Sequence, residues 1–288
     1  MAREDAAAFR SRYGPCALVA GGSDGLGEAF ARALAARGLD LVLVARRRPL
    51  LEDLSARLAR EFGVRVQPIA LDLANRDGPP ELLRRVAGID VGMLICNAAL
   101  SPVGSFLDLP AEAVEEMLDL NCRAVGLLCH GMGRRLAARG RGGIVVLTSM
   151  ASLQGSTQVG HYAATKAYDR VLAEGLWREL RPSGVDVIAC CAGQVRTPTW
   201  ERGAARRAGG MAAPVMEVEP VVRETLAALG RRPVVIPGWR NRAGAFVLER
   251  LLSRRAAVEL VSRTTDAMYS DRRRSGSRRS APPDGEGG

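Results

Sequence analysis

The stretch Cys16-Ala17-Leu18-Val19-Ala20-Gly21-Gly22-Ser23-Asp24-Gly25-Leu26-Gly27 decides how this chain is read. Five apolar residues have the length of a buried strand, and a helical pattern follows the glycines through Arg37. Between them Gly21, Gly25 and Gly27 are spaced G-x-x-x-G-x-G. Strand, glycine turn and helix together present backbone N–H groups and the positive end of a helix to a phosphate. Tight turns also demand glycine, so the turn alone establishes no site.

The neighbouring segments extend the pattern. Residues 39–45 form a second near-continuous apolar strand, which ends in Arg46-Arg47-Arg48. An NAD site places an acidic residue there for the ribose hydroxyl, whereas an arginine suits the 2′-phosphate of NADP. The three arginines could merely open the helix at residues 49–62, but positive charge at a helix N-terminus is mildly unfavourable. Arg46 and Arg47 are therefore read as phosphate ligands. Next come a strand at 64–71 followed by Asp72 and Leu73, a helix at 80–87, and a strand at 91–96 followed by Asn97-Ala98-Ala99. A helix is expected over 110–138, with Asn121 in its interior, and then a strand at 144–147 that delivers Thr148 and Ser149. Further strands are expected at 185–191 and 233–236, with a helix at 219–229 between them. This alternation predicts an α/β protein, a Rossmann-like doubly wound parallel sheet of about seven strands with helices on both faces. Ligands should collect at the carboxyl ends of its strands.

After a polar loop at 150–160, which contains Gln154, a helix carries Tyr162 and Lys166 four residues apart. Side chains at i and i+4 leave a helix from the same face. Lys166 is the only lysine among 41 Lys and Arg residues. An ammonium is chemically distinct from a guanidinium fork, so a lone lysine one turn beyond a tyrosine is a candidate for chemistry. Chance in an arginine-rich composition explains that one feature equally well.

The 288 residues suit one α/β domain plus tails. The expected division is an N-terminal tail at 1–13, a catalytic domain at 14–239 and an amphipathic helical extension at 240–269, followed by a disordered basic tail at 270–288. The six cysteines have no metal-ligand spacing and read as small buried side chains in a reducing compartment, with no metal site. Neither a secretory signal nor an apolar run of spanning length is found, which points to the cytoplasm. The net charge of +10 gathers partly in an arginine-rich tail without interleaved aromatics, so nucleic acid is not the expected partner. Apolar residues between arginines in the extension could lie on a membrane surface, but packing on the protein itself or on a partner subunit is favoured.

Taken together, residues 15–237 resemble the short-chain dehydrogenase/reductase family. The glycine turn, Asp72, Asn97-Ala98-Ala99, Asn121, Ser149 thirteen residues before Tyr162, and Lys166 match that family's order and spacing. Ala20, Ala99 and Ala192 depart from the pattern, in supporting turns. The resemblance implies a catalytic tetrad of Asn121, Ser149, Tyr162 and Lys166. It also implies NADP(H) held by Gly21, Ser23, Asp24, Gly25, Leu26, Gly27, Arg46, Arg47, Asp72, Leu73, Asn97, Ala98, Tyr162, Lys166, Gly193, Val195 and Thr197. Ser149, Gln154, His161 and Trp200 would face the substrate, and residues 197–217 look like the family's lid. Ser152 is a rival serine, while His161 more readily lines the pocket than titrates.

The implied reaction moves a hydride between a nicotinamide and a carbonyl or alcohol, and the expected substrate is apolar, a ketone or a 3-oxoacyl group. A tyrosine can supply the proton if its pKa falls from about 10, and a nearby ammonium favours that by stabilising the phenolate. Asn121 would position a water beside Lys166 through its side chain or a local backbone distortion. A same-fold isomerase or lyase and a non-catalytic NADP-binding regulator are the alternatives. The family's habit is a homodimer or homotetramer.

Overall fold

Seven strands and the helices between them follow the expected alternation in a computed structural model that describes residues 3–202 and 215–269. Helix α1 (Arg3–Tyr13) leads into β1 (Cys16–Ala20), α2 (Gly25–Ala35), β2 (Asp40–Ala45), α3 (Arg48–Phe62) and β3 (Val66–Ala70). The chain continues through α4 (Gly78–Arg85), β4 (Val91–Cys96), α5 (Ala111–Leu118), a π-helical turn (Asp119–Ala124) and α6 (Val125–Arg139). Then come β5 (Gly142–Ser149), α7 (Gly160–Leu180), β6 (Val185–Ala192), α8 (Pro198–Arg202), α9 (Val218–Ala228) and β7 (Val234–Val235). Helix α10 (Trp239–Phe246), a second π turn (Val247–Leu251) and α11 (Arg254–Tyr269) complete the described chain.

The sheet is parallel throughout, in the order β3-β2-β1-β4-β5-β6-β7. Strands with helices on both faces need apolar side chains on both sides, which explains the near-continuous apolar runs. Alternate residues divide between two cores. Val19, Leu43, Ile95, Val145 and Ile188 meet α2, α3 and α9 on one face. Leu18, Val44, Leu94, Val146 and Val187 meet α4, α6 and α7 on the other. Each such buried aliphatic side chain contributes about 1.5–3 kcal/mol of transfer free energy. The strand order reverses between β1 and β4, so a crevice opens there at the strands' carboxyl ends.

Several expectations need correction. Residues 1–13 were expected to be a tail, yet α1 spans most of them and is tied to the sheet. The Tyr13 hydroxyl donates to Asp186 Oδ2 at 2.7 Å and Arg12 Nε donates to the same oxygen at 2.6 Å. The single helix expected over 110–138 is α5, a π turn and α6, and β7 is shorter than residues 233–236. The apolar spacing over 240–269 resolves into two helices joined by a π turn. The segment expected to be disordered, 270–288, and most of the expected lid, 203–214, lie outside the described residues.

Candidate functional site

The crevice beside β1 holds a cavity of about 760 Å³. Its walls include Gly21, Ser23, Asp24, Gly25, Leu26, Arg46, Arg47, Asp72, Leu73, Asn97, Ala98 and Thr197, all expected from the sequence. Leu100, Ala113, Glu116 and Leu120 line it as well, and no sequence signal marked them. The turn is built for close backbone approach. Gly21 has φ +85°, and a Cβ there would lie 2.5 Å from Ala98 N. A Cβ on Gly27 would sit 1.9 Å from Gly21 O, the same oxygen that accepts from Asn97 Nδ2 at 2.7 Å. Only glycine at both positions lets α2 start directly under the turn. Helix α2 has no side-chain cap hydrogen bond from Asp24, whose carboxylate instead binds Arg47. Bare backbone and a helix N-terminus facing the cavity fit a pyrophosphate.

At the end of β2, Arg46 Nη1 lies 3.8 Å from Asp72 Oδ2 and 3.4 Å from Glu116 Oε1. Asp72 also accepts from Ala74 N at 3.0 Å, which fixes its carboxylate in the turn after β3. Two half-exposed guanidinium groups at the cavity rim fit a phosphate on the adenosine ribose.

Leu120 lines this cavity, and the next residue, Asn121, is the first of the four expected reacting residues. Asn121 is fully buried in the π turn, accepting from Leu100 N at 2.8 Å and donating to Leu100 O at 2.9 Å. It also donates to Thr165 Oγ1 at 3.0 Å, and Thr165 in turn donates to Tyr162 O at 2.8 Å. The Asn121 side chain thus joins the π turn to Leu100 and to α7. Ser149 ends β5 half-buried and accepts from Ala151 N at 3.1 Å through Oγ. Its hydroxyl proton has no acceptor among the described residues. Ser152, by contrast, is buried with Oγ 3.8 Å from Cys191 Sγ.

Lys166 is buried and donates from Nζ to Leu147 O at 2.8 Å and to Asp169 Oδ2 at 2.9 Å. Burial pulls its pKa down, but the Asp169 carboxylate and Tyr162 outweigh that and hold it above the ordinary lysine value. Asp169 was not singled out in the sequence, although a carboxylate three residues after the lone lysine was visible there. Thr148 supports the arrangement by donating to Lys166 O at 2.7 Å.

The remaining expected residues are spread more widely. Gly193 packs against Asn241, buried Val195 bridges to Met216, and Thr197 Oγ1 accepts from Trp200 N at 3.1 Å. Gln154 is buried after the 3-10 turn that follows β5. His161 Nε2 lies 3.1 Å from Val114 O and its ring tilts against Phe106 at 5.6 Å, which places it against α5. Trp200 stacks with Arg196 at 5.4 Å. Five of the six cysteines are buried and Cys122 is partly so. Among the described residues no helix is long and apolar enough to cross a membrane.

A doubly wound sheet with a glycine turn at its switch point, and a serine, tyrosine and lysine at the end of β5 and on α7, defines a nucleotide-dependent oxidoreductase. The short chain dehydrogenase model matches residues 15–207, and the chain belongs to that family. It is 30% identical over 234 residues to a 7beta-hydroxysteroid dehydrogenase of Clostridium sardiniense, covering 81% of this chain and 89% of that one. It is also 30% identical over 281 residues to a very-long-chain 3-oxoacyl-CoA reductase of Phaeosphaeria nodorum, covering 92% and 80%. Among solved structures, a short-chain dehydrogenase from Sphingobium yanoikuyae in complex with NADPH superposes with a TM-score of 0.72 at 30% identity, covering 95% of this chain and 98% of that one.

Proposed function

We propose that this chain is an NADP(H)-dependent reductase or dehydrogenase acting on a bulky apolar ketone or a 3-oxoacyl group and the corresponding alcohol. The observation that carries this reading is the cavity at the strands' carboxyl ends, walled by the glycine turn, Arg46 and Arg47, with Ser149 at the end of β5 and Tyr162 beside Lys166 on α7 as the expected reacting groups. The NADPH held by the Sphingobium enzyme, and the steroid and 3-oxoacyl-CoA named for the other two relatives, support it.

In this reading the turn Gly21 to Gly27 and the start of α2 hold the pyrophosphate, and Arg46 and Arg47 hold the 2′-phosphate. Asp72, Leu73, Asn97, Ala98, Gly193, Val195 and Thr197 complete the cradle, while Lys166 takes the nicotinamide ribose. Bound NADP(H) supplies or accepts the hydride. Ser149 donates its free O–H to the carbonyl oxygen and fixes it beside Tyr162. Tyr162 gives its phenolic proton to that oxygen as the alkoxide develops, and Lys166 offsets the negative charge left on the tyrosine. Gln154 and Trp200 border the space for the apolar body of the substrate. An assembly of two or four copies belongs to the same reading, by family habit, and sedimentation measures it.

The test is NADPH absorbance with a panel of bulky ketones, oxo-steroids and 3-oxoacyl thioesters. Tyr162→Phe should lower kcat by about 10²- to 10⁴-fold, the usual worth of a general acid. Equal turnover by both forms defeats the assignment.

A further inference from the structure

Tyr162, Lys166 and Asp169 lie on one stripe of α7, because their positions fall within about 60° of one another around a helix of 3.6 residues per turn. The Asp169 side chain is 0% exposed and that of Lys166 4%. An ammonium has three N–H donors, and two are spent on Asp169 Oδ2 and Leu147 O. Asp169 Oδ1 has no hydrogen-bond partner among the described residues. A buried carboxylate with an unpaired oxygen is a poor choice for packing, since a neutral or apolar side chain fills the same space at lower desolvation cost.

We infer that Asp169 is a positioning residue for the reaction: it keeps the Lys166 ammonium charged and pinned against Leu147 O, leaving one N–H for the cofactor ribose and Tyr162. The inference rests on the reading that Lys166 serves hydride transfer. Burial alone would drive Lys166 toward its neutral form, and Asp169 reverses that outcome. Burial also raises Asp169 itself to about 6, against the pull of Lys166. The other groups facing the pair are Tyr162 and Tyr168 on α7, Cys122 in the π turn and Cys96 on β4, with Cys129 on α6 behind Cys96. Burial pushes the Cys122 thiol up to about 11, and contact with Cys129 together with burial raises Cys96. These two thiols stay protonated near neutral pH, so the charge change expected near pH 6 within the pair is that of Asp169. As pH falls through about 6, Asp169 takes up a proton and Lys166 loses its counter-ion.

Because Lys166 is the only lysine, ¹³Cε-lysine labelling gives a single side-chain NMR resonance, which can be titrated with and without NADPH. In the wild type that resonance should step near pH 6 as Asp169 protonates, and should keep its ammonium position beyond the ordinary lysine range. In Asp169→Asn the step should vanish and Lys166 should lose its proton at least about one pH unit lower. The same variant should lose about 10-fold in kcat with KM for the ketone within about 2-fold, and the alkaline limb of kcat should move to lower pH. Asp169→Glu should restore part of kcat and the NMR step. A wild-type resonance without a step, or a loss of activity with unmoved pH limbs, overturns the inference and marks a structural role. If the Asn variant does not fold, the wild-type titration and Asp169→Glu decide by the same criteria. Absence of any carbonyl turnover would strike the proposed function and leave the NMR result standing.

Discussion

Arg46 is the residue on which the proposed choice of nucleotide turns. Its partners Asp72 and Glu116 lie 3.8 and 3.4 Å away, and all three side chains are 31–52% exposed. Half-exposed ion pairs of this kind are worth about 0–1 kcal/mol, so a phosphate dianion displaces them readily. A phosphate bound by a guanidinium fork gains more, through charge-assisted hydrogen bonds. Arg46→Asp should therefore raise the dissociation constant of NADPH by about 100-fold, or roughly 3 kcal/mol, while NADH changes by less than about 3-fold. Quenching of nicotinamide fluorescence on binding measures both. An equal loss for the two nucleotides rules the 2′-phosphate role out.

Among the elements, the π turn at Asp119–Ala124 ties the cofactor crevice to α7. Asn121 spends both ends of its amide on Leu100 and reaches Thr165 as well, so the extra residue in the turn is held by three hydrogen bonds. Asn121→Ala would strand the half-buried Leu100 backbone groups, at up to about 1–3 kcal/mol for each unsatisfied group. Its melting temperature should fall by about 5–10 °C for a domain of this size. Thermal denaturation followed by circular dichroism checks this, and an unchanged midpoint would show that the turn stands without the amide. This element also marks the limit of what the sequence showed. Apolar periodicity located the strands because most are buried on both faces, although Gln67 and Pro68 of β3 are exposed, and it put Ser149 at a strand end and Tyr162 and Lys166 on one helix, where the structure has them. It could not show the break at Asn121, whose cause is a partner 21 residues earlier in the chain. Helix α1 escaped for the same reason, since Tyr13 meets Asp186 across 173 positions. Asp169 was in plain view, but a charge on a helix is most often solvated, and only the fold buries it.

At the scale of the molecule, α11 packs over the loop that joins β5 to α7. Residues 150–160 run from Ser149 to α7, and α11 holds them from outside. Thr157 Oγ1 donates to Asp266 Oδ1 at 2.9 Å, Gln158 Nε2 donates to the same oxygen at 3.2 Å, and Arg254 Nη1 donates to Leu153 O at 2.7 Å. Gln158 has φ +65°, a left-handed conformation that a glutamine adopts only when its surroundings enforce it. Asp266 is well placed to enforce it, because it grips both Gln158 and its neighbour. The extension thus packs on the protein itself through its polar side, next to Gln154 and to Gln194, whose Nε2 lies 2.9 Å from Met268 Sδ. Asp266→Ala removes both carboxylate bonds and loosens the loop, which Ser262 and Arg254 still hold, without touching the cofactor crevice or Lys166. It should raise KM for a bulky ketone by about 3- to 10-fold, in line with roughly 1 kcal/mol for a lost hydrogen bond, while the dissociation constant of NADPH stays within about 2-fold. Steady-state kinetics beside nucleotide titration separate the two constants. Unchanged KM would mean that the loop holds its shape without Asp266, and a weakened NADPH affinity would place the effect of α11 in the cofactor crevice instead of the substrate space.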